Sequence, residues 1–263
     1  MTATSQETTA AAYPSPRVAW FLVVMLTIAY VFSFVDRYIL GLLIEPIKAD
    51  LGLSDEQIGW VIGPAFAVFY ATMGLPLGWL ADRGRRTWIV SAGIACWSLA
   101  TAMSGLAGSF WHLFITRMTV GVGEATLSPS AFSMIADSFP PDRRGKPIAF
   151  YTAALTMGAG IASLIGGGVL VWAKTTSSVE IPLIGSVAPW QTTFFAVGLP
   201  GLLIAAIFLG LKEPVRREAV AFDKDLKGDS IADAVGYIAK RAGTYGGFVS
   251  LVCVMTIMAY SQG

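Results

Sequence analysis

The sequence is short of charge, cysteine and histidine. Of its 263 residues 13% are charged and 55% are hydrophobic, whereas a soluble domain carries about 25% charged residues. With a mean hydropathy of +0.65, that deficit excludes an ordinary soluble domain and points to a bilayer. A net charge of +1 without a basic low-complexity arm removes the electrostatic case for nucleic acid. The two cysteines, Cys96 and Cys253, lie in apolar runs and read as small buried hydrophobes, not as a disulfide framework. His112 is the single histidine, which leaves little material for a histidine metal site or a catalytic triad. The apolar segments show no nucleophile–base pair or metal cluster, so no enzyme, metal or cofactor is expected.

The chain is instead rich in long apolar runs, each about one membrane thickness. They predict helices over 18–44, 57–81, 87–108, 111–137, 147–173 and 190–211. A turn is required near Gly108-Ser109, because one helix through both runs would far exceed a bilayer. Ser54 with Gln57 forms a capping-box pattern, so the second helix is expected to begin at Asp55. The expected fold is an all-α membrane protein. Residues 1–16 form a disordered cytoplasmic tail with no signal-peptide pattern, and residues 17–212 form a six-helix bundle. Residues 213–243 form a charged cytoplasmic linker, and 244–263 the start of a seventh helix. Within the linker, Ile231, Ala234, Val235 and Ile238 make a short amphipathic pattern, read as a helix at the membrane surface or as an ordinary packing face. The loop 174–189 is turn-rich with an apolar middle.

Fourteen of the eighteen Lys and Arg residues fall in the tail and even-numbered loops, and two (Lys48 and Lys174) in odd-numbered loops. The remaining two, Arg37 and Arg117, lie inside apolar segments. The positive-inside rule then puts the N-terminus in the cytoplasm. A charge near a bilayer centre costs roughly 2.5–3.5 kcal/mol on insertion scales and usually faces a partner or a watery cavity. Arg117 and Glu124 are seven residues apart, which places them on one helix face about 10 Å apart along the axis. Asp36 and Arg37 in the first segment fall at depths between them. Cross-pairing, Asp36 with Arg117 and Arg37 with Glu124, would neutralise all four. Two readings remain open: ion pairs that fix helix register, or a switch in which an acid takes a proton or an arginine engages an anion. Phe66, Tyr70, Phe132 and Met157 are candidate lining for an apolar cavity beside these charges.

Gly78-Trp79-Leu80-Ala81-Asp82-Arg83-Gly84-Arg85-Arg86 resembles the signature loop between the second and third helices of the major facilitator superfamily. The loop glycine stands one position early, as Gly84, with Arg85 in its place. Arg117-x-x-x-Gly121-x-Gly123-Glu124-Ala125 resembles that superfamily's fourth-helix motif. The glutamate, together with Asp36-Arg37, resembles the spinster-like branch, as do Trp190-Gln191-Thr192-Thr193-Phe194-Phe195 and Lys212-Glu213-Pro214. Asp137 to Gly145 resembles the end of the fourth helix, whose aspartate pairs with loop arginines. Gly158-x-x-x-Ala162-Ser163-x-x-Gly166-Gly167 has the spacing of the antiporter motif without its proline, and close helix packing is the simpler reading.

The resemblance implies one half of a twelve-helix transporter of a bacterial-type inner membrane, whose second six-helix bundle would be its partner. Gly78, Asp82, Arg83, Arg86, Asp137 and Arg143 would form a conformational-switch loop, in which Gly78 would let two helices approach closely and Asp82 would pair with a base or a helix N-terminus. Asp36, Arg37, Arg117 and Glu124 would carry substrate or proton coupling. The implied substrate is an amphiphilic lysophospholipid or sphingolipid-like anion, with protons as the candidate coupling ion. The alternatives are an organic-anion or sugar-phosphate facilitator using both arginines, and a receptor or structural membrane protein.

Overall fold

The computed structural model describes residues 13–217, apart from Lys174, Ser177, Leu183 and Ile184, and nine residues between 236 and 247. The chain divides into two units, Met1–Arg217 and Glu218–Gly263. In the second unit the nine described residues are helical save for a turn at Arg241. The amphipathic linker pattern, most of the expected seventh helix and the tail before Tyr13 lie outside the described residues.

The first unit is built from α1 (Pro16–Leu42), α2 (Ile44–Leu51), α3 (Asp55–Ile62), α4 (Pro64–Arg83), α5 (Arg86–Ser104), α6 (Phe110–Glu124), α7 (Leu127–Ser138), α8 (Gly145–Thr152), α9 (Ala154–Ala173) and α10 (Pro189–Gly210). Among the described residues, five single or joined helices are long and apolar enough to cross a membrane: Pro16–Leu42, Asp55–Arg83, Arg86–Ser104, Gly145–Trp172 and Pro189–Gly210. The fourth predicted span is present as α6 and α7, interrupted at Ala125-Thr126.

Prolines explain most of the interruptions. A helical proline lacks an N–H and clashes with the carbonyl four residues back, and it also disfavours the helical conformation in the residue before it. Pro46 follows the end of α1 at Leu42, Pro64 opens α4 directly after the break at Gly63, and Pro129 stands four residues beyond Ala125. The sequence expectation of one unbroken helix over 57–81, 111–137 and 147–173 is corrected, while α1 ends close to the expected residue 44. The break at Ala153 between α8 and α9 has no such cause in the neighbouring sequence. At α3 the capping box is made as expected: the Gln57 N–H donates to Ser54 Oγ, and the Ser54 N–H donates to Gln57 Oε1 at 2.9 Å. The turn-rich loop at 174–189 pairs as a short antiparallel hairpin, β1 (Val179–Ile181) with β2 (Gly185–Val187), in the register Val179 to Val187. Gly185, at a φ of 95°, supplies the left-handed backbone that the return requires.

The helices pack chiefly as α5 against α10, α1 against α9, and α6 against both α4 and α5. Three apolar clusters result, two of them large. One large cluster joins Leu22, Leu26, Ile94, Val120, Met134 and Phe208. The other joins Ile39, Leu43, Ile58, Leu113, Trp190 and Phe194. Along the helices Asp36, Arg37 and Arg117 fall between these two, and Glu124 is flanked by Val120 and Leu127 of the first.

Small residues set the helix spacing. A Cβ on Gly121 would lie 2.6 Å from the Phe66 carbonyl oxygen, and one on Gly123 would lie 2.9 Å from the Gly93 oxygen. The two glycines of the fourth-helix motif therefore let α4 and α5 close on α6 from opposite sides. Gly158 and Gly166 are similarly tight against Phe34 and Leu42 of α1, and Ala162 is fully buried between them, which favours packing for the small-residue stripe in α9. Gly78 is different: the nearest atom to its Cβ would be Pro129 Cβ at 4.0 Å. The expectation that Gly78 marks a close helix approach is corrected, and that role belongs to Gly121. Gly121→Val should therefore lower the melting temperature of the detergent-solubilised protein by several degrees. Gly78→Ala should leave it within about 0.5 kcal/mol of the parent.

Candidate functional site

The polar centre of the unit holds two ion pairs between α1 and α6, made differently. Arg117 donates from Nη1 to Asp36 Oδ2 at 3.0 Å, and from Nη2 to Asp36 Oδ1 at 3.5 Å and Ser104 Oγ at 3.4 Å. Thr101 Oγ donates to Asp36 Oδ1 at 2.8 Å. Both charged side chains are only 2% exposed, and the guanidinium lies 5.4 Å from the centre of the Phe194 ring on α10. Four helices thus close on this pair, and both carboxylate oxygens are occupied. Among its polar atoms only Arg117 Nε lacks a partner.

The second pair is open at one end. Glu124 Oε2 accepts from Ser33 Oγ at 2.7 Å and from Arg37 Nε at 2.6 Å, with Arg37 Nη2 at 2.5 Å. Glu124 Oε1 is buried and has no hydrogen-bond partner. The Glu124 side chain is wholly buried, whereas the Arg37 side chain is 27% exposed. The guanidinium carbon of Arg37 lies 4.4 Å from the ring centre of Phe66, 4.9 Å from Tyr70 and 5.2 Å from Phe34. Three π faces hold the cation in place while its outer edge stays open. Near Tyr70 a shallow groove of about 380 Å³ runs along Gly74, Ala125, Ser128, Pro129 and Phe132. Phe132 stands edge-on to Tyr151, which stacks on Tyr30 at 4.6 Å. Of the candidate lining, Phe66 and Tyr70 flank Arg37, Phe132 lines the groove, and Met157 lies exposed on α9 outside that lining.

The arginines are therefore not equivalent. Arg117 is enclosed by four helices, and of the two only Arg37 reaches the open face. Sequence reasoning missed Ser33, Thr101 and Ser104. Ser33 lies three and four residues before Asp36 and Arg37, so helical spacing puts it on their face. Thr101 and Ser104 share the same three-residue spacing.

The switch residues gather at the end of the unit where α4, α5 and α7 meet the segment after α10. Arg86, 1% exposed, pairs with Asp137 and donates to Glu213 Oε1 at 2.7 Å, Ser133 Oγ at 2.7 Å and the Pro214 carbonyl at 2.9 Å. Glu213 Oε2 accepts from the Thr87 N–H at 3.0 Å, placing an anion at the N-terminus of α5, where the helix dipole favours it. Arg216 caps the C-terminal end of α4 by donating to the carbonyls of Ala81, Asp82 and Gly84. Arg217 donates its N–H to Asp137 Oδ1 at 2.8 Å. Residues 212–217 thus form a strap across three helix ends, which Lys212-Glu213-Pro214 signalled only in part.

Two members of the expected switch stand apart. Asp82 is exposed, and its carboxylate pairs with no base or helix N-terminus among the described residues; its carbonyl makes the contact instead. Arg143 pairs with its exposed neighbour Asp142 at 3.5 Å, not with Asp137. Arg83 lies with its guanidinium 4.1 Å from the Trp79 ring centre. At Gly84 a Cβ would meet Ile89 Cδ1 at 2.9 Å and the Leu80 oxygen at 3.2 Å, so the displaced glycine answers a steric need. Arg85 packs on Trp88 at 4.7 Å.

With this geometry in view, the comparisons with known proteins agree on a class. The chain belongs to the Major Facilitator Superfamily, whose profile matches residues 26–262. Members of that family are integral membrane transporters, not enzymes. The chain resembles a crystal structure of a bacterial homolog of the human lysosomal transporter Spinster in an inward-facing, unoccupied conformation. The match has a TM-score of 0.70 at 34% identity and covers 82% of this chain and 47% of that one. It is 33% identical over 216 residues to an MFS-type efflux pump of Mycolicibacterium smegmatis, covering 81% of this chain and 47% of the pump. It is 29% identical over 189 residues to a probable L-galactonate transporter of Escherichia coli, covering 72% of this chain and 38% of the relative. The chain thus spans about half the length, or less, of the relatives it matches.

Removing one partner of a buried ion pair leaves an uncompensated charge and costs about 3–5 kcal/mol. Asp36→Asn should therefore destabilise the protein strongly, and Asp36→Leu combined with Arg117→Leu should recover most of the loss. Thermal melts in detergent measure both. An equal loss in the single and double variants would mean that the pair does more than neutralise itself.

Proposed function

We propose that this chain is part of a secondary transporter that moves an amphiphilic anion by alternating access, with Arg37 as the anion-reading group and Glu124 as the proton-binding group. The observation that carries this reading is the open pair: a partly exposed arginine among three aromatic rings, tied to a buried carboxylate with one free oxygen. An arginine fork suits phosphate or carboxylate. While Glu124 is ionised it occupies that fork; once protonated it gives up the charge-assisted contact and frees Arg37 for an anion. The rings and groove beside Arg37 suit a hydrocarbon tail, which supports a lysophospholipid or sphingolipid-like substrate. The similarity to a bacterial Spinster homolog points the same way.

A second reading has its own support. With Arg117 enclosed, one arginine is left to read the anion, which is enough for a small monocarboxylate, and the chain is similar to a probable L-galactonate transporter. In either case a second six-helix bundle is the structural partner. The strong Lys and Arg asymmetry supports an N-terminus in the cytoplasm, and the similarity to bacterial proteins supports a bacterial-type inner membrane.

Proteoliposomes carrying the complete transporter separate these readings. An imposed pH gradient should drive labelled lysolipid in the parent, and Glu124→Gln should abolish the gradient dependence while the protein stays folded. Arg37→Ala should weaken substrate binding by roughly ten- to hundredfold, the value of a charged hydrogen bond, and Arg85→Ala should leave it unchanged. Movement of a sugar acid but not of lysolipid would transfer the site to the second reading. Gradient-driven uptake that survives in Glu124→Gln would remove Glu124 from coupling.

A further inference from the structure

At the end of the unit that carries the switch residues, far along α1 from Arg37, a second cavity has no place in the transport reading. It measures about 720 Å³ and lies between the start of α1 and the α7–α8 connection. One wall is apolar, made by Trp20, Phe139 and Pro147; the rim carries Arg143 and Lys146. We propose that this cavity seats an anionic phospholipid of the adjoining leaflet, with its phosphate on Arg143 and Lys146 and its first methylenes against Trp20 and Phe139.

The walls are fixed and the cations are not. Trp20 is held edge-on by Phe139 at 5.8 Å and by Phe150 at 5.9 Å. Arg144 ties the connection down by donating to the carbonyls of Phe139 at 2.9 Å and Ala136 at 2.7 Å. Tyr13, on the opposite wall, lies under the Arg217 guanidinium at 3.7 Å. Arg143 is 79% exposed, and its partner Asp142, also on the rim, is 74% exposed at 3.5 Å. An exposed pair of that kind is worth little, so a phosphate competes with it readily. Lys146 makes no ion pair among the described residues. An aromatic at the level of a helix start beside two loop cations is the arrangement that an interfacial lipid satisfies: its charge meets the cations and its chain enters between the helices. A zwitterionic lipid offers no net charge to match the rim.

The test is native mass spectrometry of the full-length protein in detergent, titrated with phosphatidylglycerol or phosphatidylcholine. Phosphatidylglycerol should stay bound at collision energies that strip phosphatidylcholine. Neutralising each cation should weaken its binding roughly fivefold, as expected for one basic residue near an anionic surface. Arg143→Gln with Lys146→Gln should therefore lose the adduct, while Lys48→Gln, at the other end of the unit, should keep it. Both rim positions are exposed, so the double variant should fold, as an unchanged melt would show. Equal retention of the two lipids would overturn the proposal, as would an undiminished adduct in the double variant. Displacement of the adduct by millimolar inorganic phosphate would overturn it too, since the site would then read a free anion and not a lipid. None of these outcomes depends on transport, so failure here leaves the role of Arg37 standing.

Discussion

An ionised side chain inside a membrane-spanning helix is costly and almost always faces a partner or a watery cavity, and the core of this structure follows from that constraint. Four such side chains lie well inside α1 and α6, two of each sign, and they are satisfied by pairing between the two helices. Long arginine side chains bridge α1 and α6, and the pairing holds the two in one register. Apolar clusters pack around the charges, and the glycines of α6 bring in two further helices. Gly121 and Gly123 admit α4 and α5 to within backbone contact of α6. The residues between Arg117 and Glu124 thus set the spacing of the helices that enclose them.

How much of this was legible in the sequence depended on the kind of signal. Charges inside apolar runs are rare, so Asp36, Arg37, Arg117 and Glu124 stood out, and the rise per residue placed them at matching depths. The capping box at Ser54 was equally local and equally readable. Hydropathy, by contrast, reports length and not continuity. It merged α3 with α4, α6 with α7 and α8 with α9, although Pro64 and Pro129 were available as signals for two of the three breaks. Gly78 shows the limit of a motif: its presence suggested a tight crossing, but tightness depends on what faces it, and Pro129 stands back. The strap at 212–217 was unreadable as such, because its carbonyl contacts from Arg216 are set by where the chain turns after α10. The β1–β2 hairpin arises in the loop at 174–189, whose turn residues and apolar middle were legible but whose pairing was not.

The cationic end of the unit shows how loop charges acquire separate tasks. Lys and Arg counts settle an orientation as a sum, but in three dimensions the residues divide. Arg86 is buried and holds Asp137, Ser133 and Glu213. Arg216 and Arg144 cap helix C-termini, where the partial negative charge of the carbonyls favours a cation. Arg143 and Lys146 remain at the surface. Arg86, Arg144 and Arg216 thus tie these helix ends together.

The asymmetry between the two central pairs is the feature from which function is most directly argued. In the Asp36–Arg117 pair both carboxylate oxygens are occupied and almost no surface is left, so any change of partner would strand a buried charge. Such a pair is suited to fixing register. In the Glu124–Arg37 pair one carboxylate oxygen is free, and the cation is held as much by Phe34, Phe66 and Tyr70 as by its counter-ion. If the carboxylate is neutralised, the arginine keeps its aromatic seat and its outer edge, so an incoming anion can replace the lost partner without exposing either group to lipid. Two carboxylate–arginine pairs between the same two helices thus differ in what they permit, and the difference lies in the neighbours around each.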